Sequence, residues 1–184
     1  IRDFYNSGMD TTRINELGYA PVKPYLEQIN AVTSIEDLFS LAGNLQSKGV
    51  SYLFSMYAGQ DRKNSEMMIA NLYQNGLSMP DRSYYLSDDD RSKELRTAFR
   101  SHVKAMFELI AVEPDKADAY ANNVLNLETA LAEISMSRKD RRDPHKTYHK
   151  MPLQKLHEMT PNISWEAFLP EYGVETPEDL NVAQ

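Results

Sequence analysis

At 184 residues the chain is long enough for one domain or for a piece of a larger one, and its 41% apolar and 26% charged content suits a folded protein. A net charge of −7, from 27 acidic against 20 basic residues, argues against nucleic-acid binding, which needs a basic surface. Cysteine is absent, which excludes disulfides, thiolate catalysis and cysteine-based metal sites, and no apolar run approaches the roughly eighteen residues of a membrane-spanning helix.

Residues 1–17 have the spacing of a helix, with Phe4, Tyr5, Met9, Ile14 and Leu17 as its apolar contacts and Gly18 placed to stop it. Pro21 and Pro24 break the pattern before a short helical turn at Tyr25 to Ile29. The next helix is better marked. Ser34 caps it, Asp37 stands at its third position, Ile35, Leu38, Phe39, Leu41, Ala42 and Leu45 face inward, and Gly49 ends it.

Val50 to Ala58 is β-branched and aromatic without helical spacing, and after the polar turn GQDRKNSE the run Met67 to Tyr73 resumes in the same manner. This predicts a small two-stranded β-hairpin over about 50–73. A lone hairpin is marginal in water, so it must lie on another surface.

Gly76 to Tyr85, GLSMPDRSYY, reads as a rigid corner between the β-like and helical regions. Gly76 permits a positive φ, Pro80 fixes its own φ, and Asp81 can cap the element after it. Arg82, Tyr84 and Tyr85 add a fork of donors and two amphipathic rings, groups suited to locking one element onto another.

Beyond the corner, Asp88, Asp89 and Asp90 place negative charge at a helix start, where the macrodipole favours it. Leu95, Phe99, Val103, Met106, Phe107 and Ile110 then mark one helical face over about 88–112. A second long helix, about 115–137, carries Ala117, Tyr120, Val124, Leu127, Leu131 and Ile134 at steps of three and four. It would run roughly 35 Å. A proline-containing link joins the two, which predicts an antiparallel pair and a mainly α fold. Prolines from Pro144 to Pro177 then leave room only for short helices, one capped by Ser164 and another starting at Thr176 and Pro177.

Candidate chemistry is sparse. His157 and Glu158 open an H-E-x-x-H zinc motif, but Pro161 stands where the second histidine should be. His145 and His149 have i, i+4 spacing, yet Lys146 and Lys150 flank them and no third ligand is adjacent, so a solvated helix face explains them better. Asp88 to Asp90 lacks the ligand spacing and glycine of a calcium loop. No G-x-S-x-G, P-loop or dinucleotide fingerprint occurs. Neither a catalytic nor a metal-ligating residue is expected.

Several separated strings resemble one family, the neprilysin-like zinc metallopeptidases: FYNSGMD at 4–10, AGQDRKNS at 58–65, GLSMPDRSYY at 76–85, LETALAEIS at 127–135, and RRDPHKTYHKM at 141–151 followed by ISW at 163–165. The resemblance implies an N-terminal piece of a helical lobe that caps a catalytic lobe and limits the size of peptide admitted. Zinc would belong to the full-length parent and be bound by none of these residues. The partners implied are the remaining catalytic lobe and oligopeptide substrates. The start at Ile1, with no export-signal pattern, and the end at NVAQ fit a piece of a longer chain.

Gly8 stands where animal members of that family have a disulfide-forming cysteine, so the resemblance implies a bacterial-type member and leaves its export open; the expected location is the periplasm or cell envelope, with the cytoplasm as the alternative. The polar groups Asp61, Asn64, Ser65, Asp81, Arg82, Arg142 and Asp143, with Tyr84 and Tyr85, are expected to cap turns and join regions rather than touch substrate. The competing reading is a free-standing helical module that binds a protein partner by its hairpin edge or a helix face. A reading frame that continues into an H-E-x-x-H motif discriminates between them.

Overall fold

Ser34 starts the helix that its capping pattern predicts. In the computed structural model, which describes residues 1–50 and 52–183, its Oγ accepts from Asp37 N at 3.0 Å while Asp37 Oδ2 accepts from Ser34 N at 3.1 Å. Ser51, inside the predicted strand run, and Gln184, the last residue, lie outside the described residues. The helix so capped, α4 (Ile35–Ser47), comes after three shorter ones: α1 (Arg2–Met9), α2 (Thr11–Leu17) and α3 (Lys23–Asn30). Asp10 divides the predicted 1–17 helix by capping α2, its Oδ1 accepting from Arg13 N at 2.9 Å. Phe4, Tyr5, Met9, Ile14 and Leu17 are all exposed, so this arm buries none of the contacts expected of it among the described residues.

The predicted hairpin forms as β1 (Phe54–Asp61) and β2 (Asn64–Gln74), antiparallel from Phe54 opposite Gln74 to Gln60 opposite Met68, with an irregularity before Asp61. It is half of a four-stranded sheet in the order β1-β2-β4-β3. The other strands are β3 (Lys150–Pro152) and β4 (Asp179–Val182), and β4 lies parallel beside β2. Thr176 and Pro177 therefore lead into a strand and not the expected helix. The pairing is responsible: Leu180 and Asn181 are fully buried between β2 and β3, and Asn181 Nδ2 donates to Asn71 Oδ1 at 3.0 Å.

One face of this sheet and three helices make the core. Phe54, Met56, Leu72 and Leu180 meet Phe39 and Ala42 of α4, Leu153 and Leu156 of α8 (Leu153–Met159), and Trp165, Phe168 and Leu169 of α9 (Trp165–Tyr172). Phe54 packs on the rings of Trp165 and Phe168 at 5.3 and 5.2 Å. Within α4 the inward face is Phe39, Ala42, Gly43, Leu45 and Gln46, while Ile35 and Leu38 point out. The open edge of β1 is partly blunted, because Tyr172 donates its hydroxyl to Met56 O at 2.6 Å and the Gln46 amide reaches Phe54 O and Met56 N.

The corner carries the short α5 (Ser83–Leu86) and leads into α6 (Asp90–Leu109) and α7 (Pro114–Ile134), which pack as the predicted antiparallel pair. Asp89 is the cap of α6, its carboxylate accepting from Ser92 N at 2.9 Å and Ser92 Oγ at 2.7 Å. The buried line of α7 is Ala117, Ala121, Glu128 and Ala132. Tyr120, Leu127 and Ile134 of the predicted apolar series are exposed. Small side chains inward allow close helix approach, so Tyr120, Leu127 and Ile134 turn away while Val124 and Leu131 stay half-buried.

Candidate functional site

Of the polar residues singled out from the sequence, Asp81, Arg82, Tyr84 and Tyr85 meet at a joint at the corner and Asp61 centres one across the sheet, while Asn64, Ser65, Arg142 and Asp143 stay local. At the corner Gly76 has φ +92°, and a Cβ there would lie 2.8 Å from Leu53 N, so both conformation and space require glycine. The chain then passes over α7. Glu128, buried, accepts from Ser78 N at 3.0 Å, from Ser78 Oγ at 2.7 Å and from the Tyr85 hydroxyl. Tyr85 in turn accepts from Met79 N at 2.8 Å. Burial, and then the Glu128 carboxylate beside it, push the Tyr85 phenol well above its ordinary range.

Arg82 holds the same joint from outside. Its Nε donates to Ala132 O at 2.9 Å and its Nη2 to Glu133 O at 3.2 Å, covering carbonyls that the last turn of α7 leaves unpaired. Asp81 accepts from Ser83 N and Oγ at 3.0 and 2.8 Å and pairs with Arg138 at 3.5 Å. The Ser83 amide and hydroxyl, then the charges of Arg138 and Arg141, hold its carboxyl below the usual range. Tyr84 contributes its carbonyl, which accepts from Arg96 Nη1 at 2.8 Å.

Arg82→Ala is expected to lower stability by about 1 to 2 kcal/mol, the scale of a partly exposed charged hydrogen bond. A urea midpoint unchanged from the parent would refute this role.

Across the sheet Asp61, 2% exposed, is the centre. It accepts from Lys63 N at 2.9 Å, from the Tyr148 hydroxyl at 2.8 Å and from Lys150 Nζ at 3.3 Å, tying the β1–β2 turn to β3. Asn64 Oδ1 accepts from Glu66 N and the Ser65 carbonyl from Gln60 Nε2, both within the hairpin turn. Asp143 Oδ1 accepts from His145 N at 2.9 Å. Arg142 is exposed on a 3-10 turn, Asp140–Arg142, and its guanidinium makes no hydrogen bond among the described residues.

The Lys63 amide, then Tyr148 and Lys150, outweigh burial and hold the Asp61 carboxyl below its usual value. A carboxyl lowered on folding stabilises the protein above its unfolded pKa, and that contribution fades as pH falls through the lowered folded value. Asp61→Asn is therefore expected to be less stable than the parent at about pH 7 and to approach it below about pH 3. A stability gap independent of pH would count against this.

The histidines take plainer roles. His145 lies on a turn and His149 in the segment just before β3, so the two share no helix face, and His149 Nδ1 sits 2.9 Å from Val182 O. His157 pairs through Nδ1 with Glu166 at 3.2 Å. Among the described residues no three His, Asp or Glu side chains form a group able to hold a metal ion, so the zinc that the resemblance implies has no fitting ligand set here. Among the same residues no helix is long and apolar enough to cross a membrane.

Sequence reading missed Glu128, Arg96, Thr147, Asn71 and Asn181 as joint residues. Only Glu128 left a signal, an acid on the α7 face shared by Ala121 and Ala132.

One polar joint fastens the corner to α7 and the other fastens the hairpin turn to β3, and known proteins share the fold that carries them. The chain matches the N-terminal model of peptidase family M13 over residues 1–184. It is 31% identical over 173 residues to endothelin-converting enzyme 1 of Bos taurus, covering 90% of this chain and 23% of that enzyme. Endothelin-converting enzyme-like 1 of Homo sapiens is 28% identical over 183 residues, covering 92% of this chain and 23% of that protein. Among solved structures, the Mycobacterium tuberculosis zinc metalloprotease ZMP1 with inhibitor superposes with a TM-score of 0.92 at 26% identity, over 99% of this chain and 28% of that one. PepO from Lactobacillus rhamnosis HN001 shares the fold with a TM-score of 0.78 at 21% identity, over 95% of this chain and 28% of its own.

The chain belongs to peptidase family M13 and spans about a quarter of the length of these relatives.

Proposed function

We propose that this chain is part of the N-terminal cap of a zinc metalloendopeptidase that cleaves oligopeptides, that it limits the size of the substrate admitted, and that it is not itself catalytic. The observation carrying this is the continuous match of residues 1–184 together with superposition on about a quarter of a zinc metalloprotease chain. Phe4, Tyr5, Met9, Ile14 and Leu17, all exposed on α1 and α2, support it, since so many large apolar side chains left in solvent on one arm call for a covering partner, here the catalytic lobe. The two polar joints make the cap a rigid wall, which size selection needs. As part of the same proposal, the parent works in the periplasm or cell envelope of a bacterium, with the cytoplasm as the alternative.

The test compares this chain alone with the protein encoded by its full reading frame, using a short quenched fluorescent peptide and a folded protein as substrates. The full protein is expected to cleave the peptide, to spare the folded protein and to lose activity to a chelator, while the chain alone cleaves neither. Hydrolysis by the chain alone, or a reading frame without a second peptidase lobe, overturns the proposal and favours an interaction module.

A further inference from the structure

On the sheet face turned away from the core, a cleft of about 260 Å³ opens between the strands and the segment after α7. Tyr57 and Tyr73 form its floor, their rings edge to face at 5.7 Å. Its two cationic walls come from different strings of the sequence: Arg62 from the β1–β2 turn and Arg141 from the 3-10 turn Asp140–Arg142. Arg62 is held over the cleft by a bond from its Nη1 to Thr147 Oγ1 at 2.7 Å, and Thr147 is itself buried. That bond uses one of the five N–H groups of the guanidinium.

Among the described residues neither Arg62 nor Arg141 has a carboxylate within ion-pair distance; Asp81, the acid on the Arg141 side, is taken by Arg138 at 3.5 Å. In a chain of net charge −7, two guanidinium groups meet at one cavity, Arg62 with no ion pair and Arg141 with Asp81 near enough to feel its charge but not in contact with it, which runs against the surrounding field. A planar fork of donors matches a carboxylate in bidentate geometry, and the flanking rings exclude water from such a pair. The volume suits a single group of amino-acid size.

We propose that this cleft is a carboxylate-binding site, in which Arg62 and Arg141 grip either the terminal carboxylate of a short peptide or an acidic side chain from a further segment of the same polypeptide. The cleft's own residues carry this, so it stands or falls separately from the peptidase reading.

The test titrates the intact protein with acetyl-dialanine as free acid and as its C-terminal amide, by calorimetry, for the parent and for Arg62→Gln, Arg62→Lys and Arg141→Gln. If the ligand is external, the free acid binds and the amide does not. Each glutamine substitution then weakens the acid by about ten-fold or more, the loss of one charged hydrogen bond, and Arg62→Lys recovers part of it. If the ligand is an internal side chain, the acid does not bind, but Arg62→Gln as well as Arg141→Gln lowers the thermal midpoint by an amount that shrinks in about 1 M salt; a drop confined to Arg141→Gln is the loss of its attraction to Asp81 and overturns the proposal. Equal binding of acid and amide, acid binding that neither glutamine substitution weakens, or no binding together with an unshifted midpoint overturns the proposal.

Discussion

Gly43→Ala is expected to destabilise this protein by about 2 kcal/mol, although alanine is the better helix former. Gly43 lies where α4 crosses α9, and an added Cβ would meet Phe168 O at 2.3 Å, Glu171 Cβ at 3.0 Å and Tyr172 N at 3.0 Å. Two of those three atoms belong to the backbone of α9, which also carries Trp165 and Phe168 into the core. A side chain end could rotate away; a helix must move as a body. Overpacking of this kind costs about 3 kcal/mol at the upper end of its usual range. The gain in helix propensity returns at most about 1 kcal/mol. Urea unfolding followed by Trp165 fluorescence measures the balance, because that residue lies at the displaced interface. A midpoint at or above the parent's would mean that α9 shifts at little cost, and that the close crossing is incidental.

Glu128→Ala is expected to cost about 3 kcal/mol, roughly one for each of the three donors left unpaired: Ser78 N, Ser78 Oγ and the Tyr85 hydroxyl. The corner is where the chain passes from the sheet to the long helices, so its loosening should reach beyond the site. Glu128→Gln keeps the shape and one acceptor but turns an N–H₂ toward a donor, and should lose about half as much. Tyr85→Phe separates the contributions. If the carboxylate and phenol act as one unit, the double variant with Glu128→Gln loses less than the two single losses added together. Additive losses, or an alanine variant as stable as its parent, would mean that the buried carboxylate is a passenger.

Much of the site was legible by residue type and not by partner. Gly76, Asp81, Arg82 and Tyr85 were readable as a locking corner because glycine, a capping acid and a donor fork have few other uses together. What they lock onto was not readable, since Glu128 and the carbonyls of Ala132 and Glu133 lie some fifty residues away. Asp61 was identified, but its partners Tyr148 and Lys150 come from a tract that reads as broken short helices. Arg62 and Arg141 sat unremarked within family-like strings until the fold brought them to one cleft.

The amino-acid order alone determined where α4 starts, that two long helices follow the corner and pair, that a hairpin precedes it and which family the chain resembles. Caps, breakers and spacings set these features, and they act within a turn or two of the residue concerned. Only the tertiary structure decided that Asp179–Val182 is a strand beside β2, that α7 turns its alanines and Glu128 inward, and that the first helices bury nothing of their own. Strand pairing and the choice of helix face depend on which distant surface arrives and how closely it packs. No local pattern of side chains carries that.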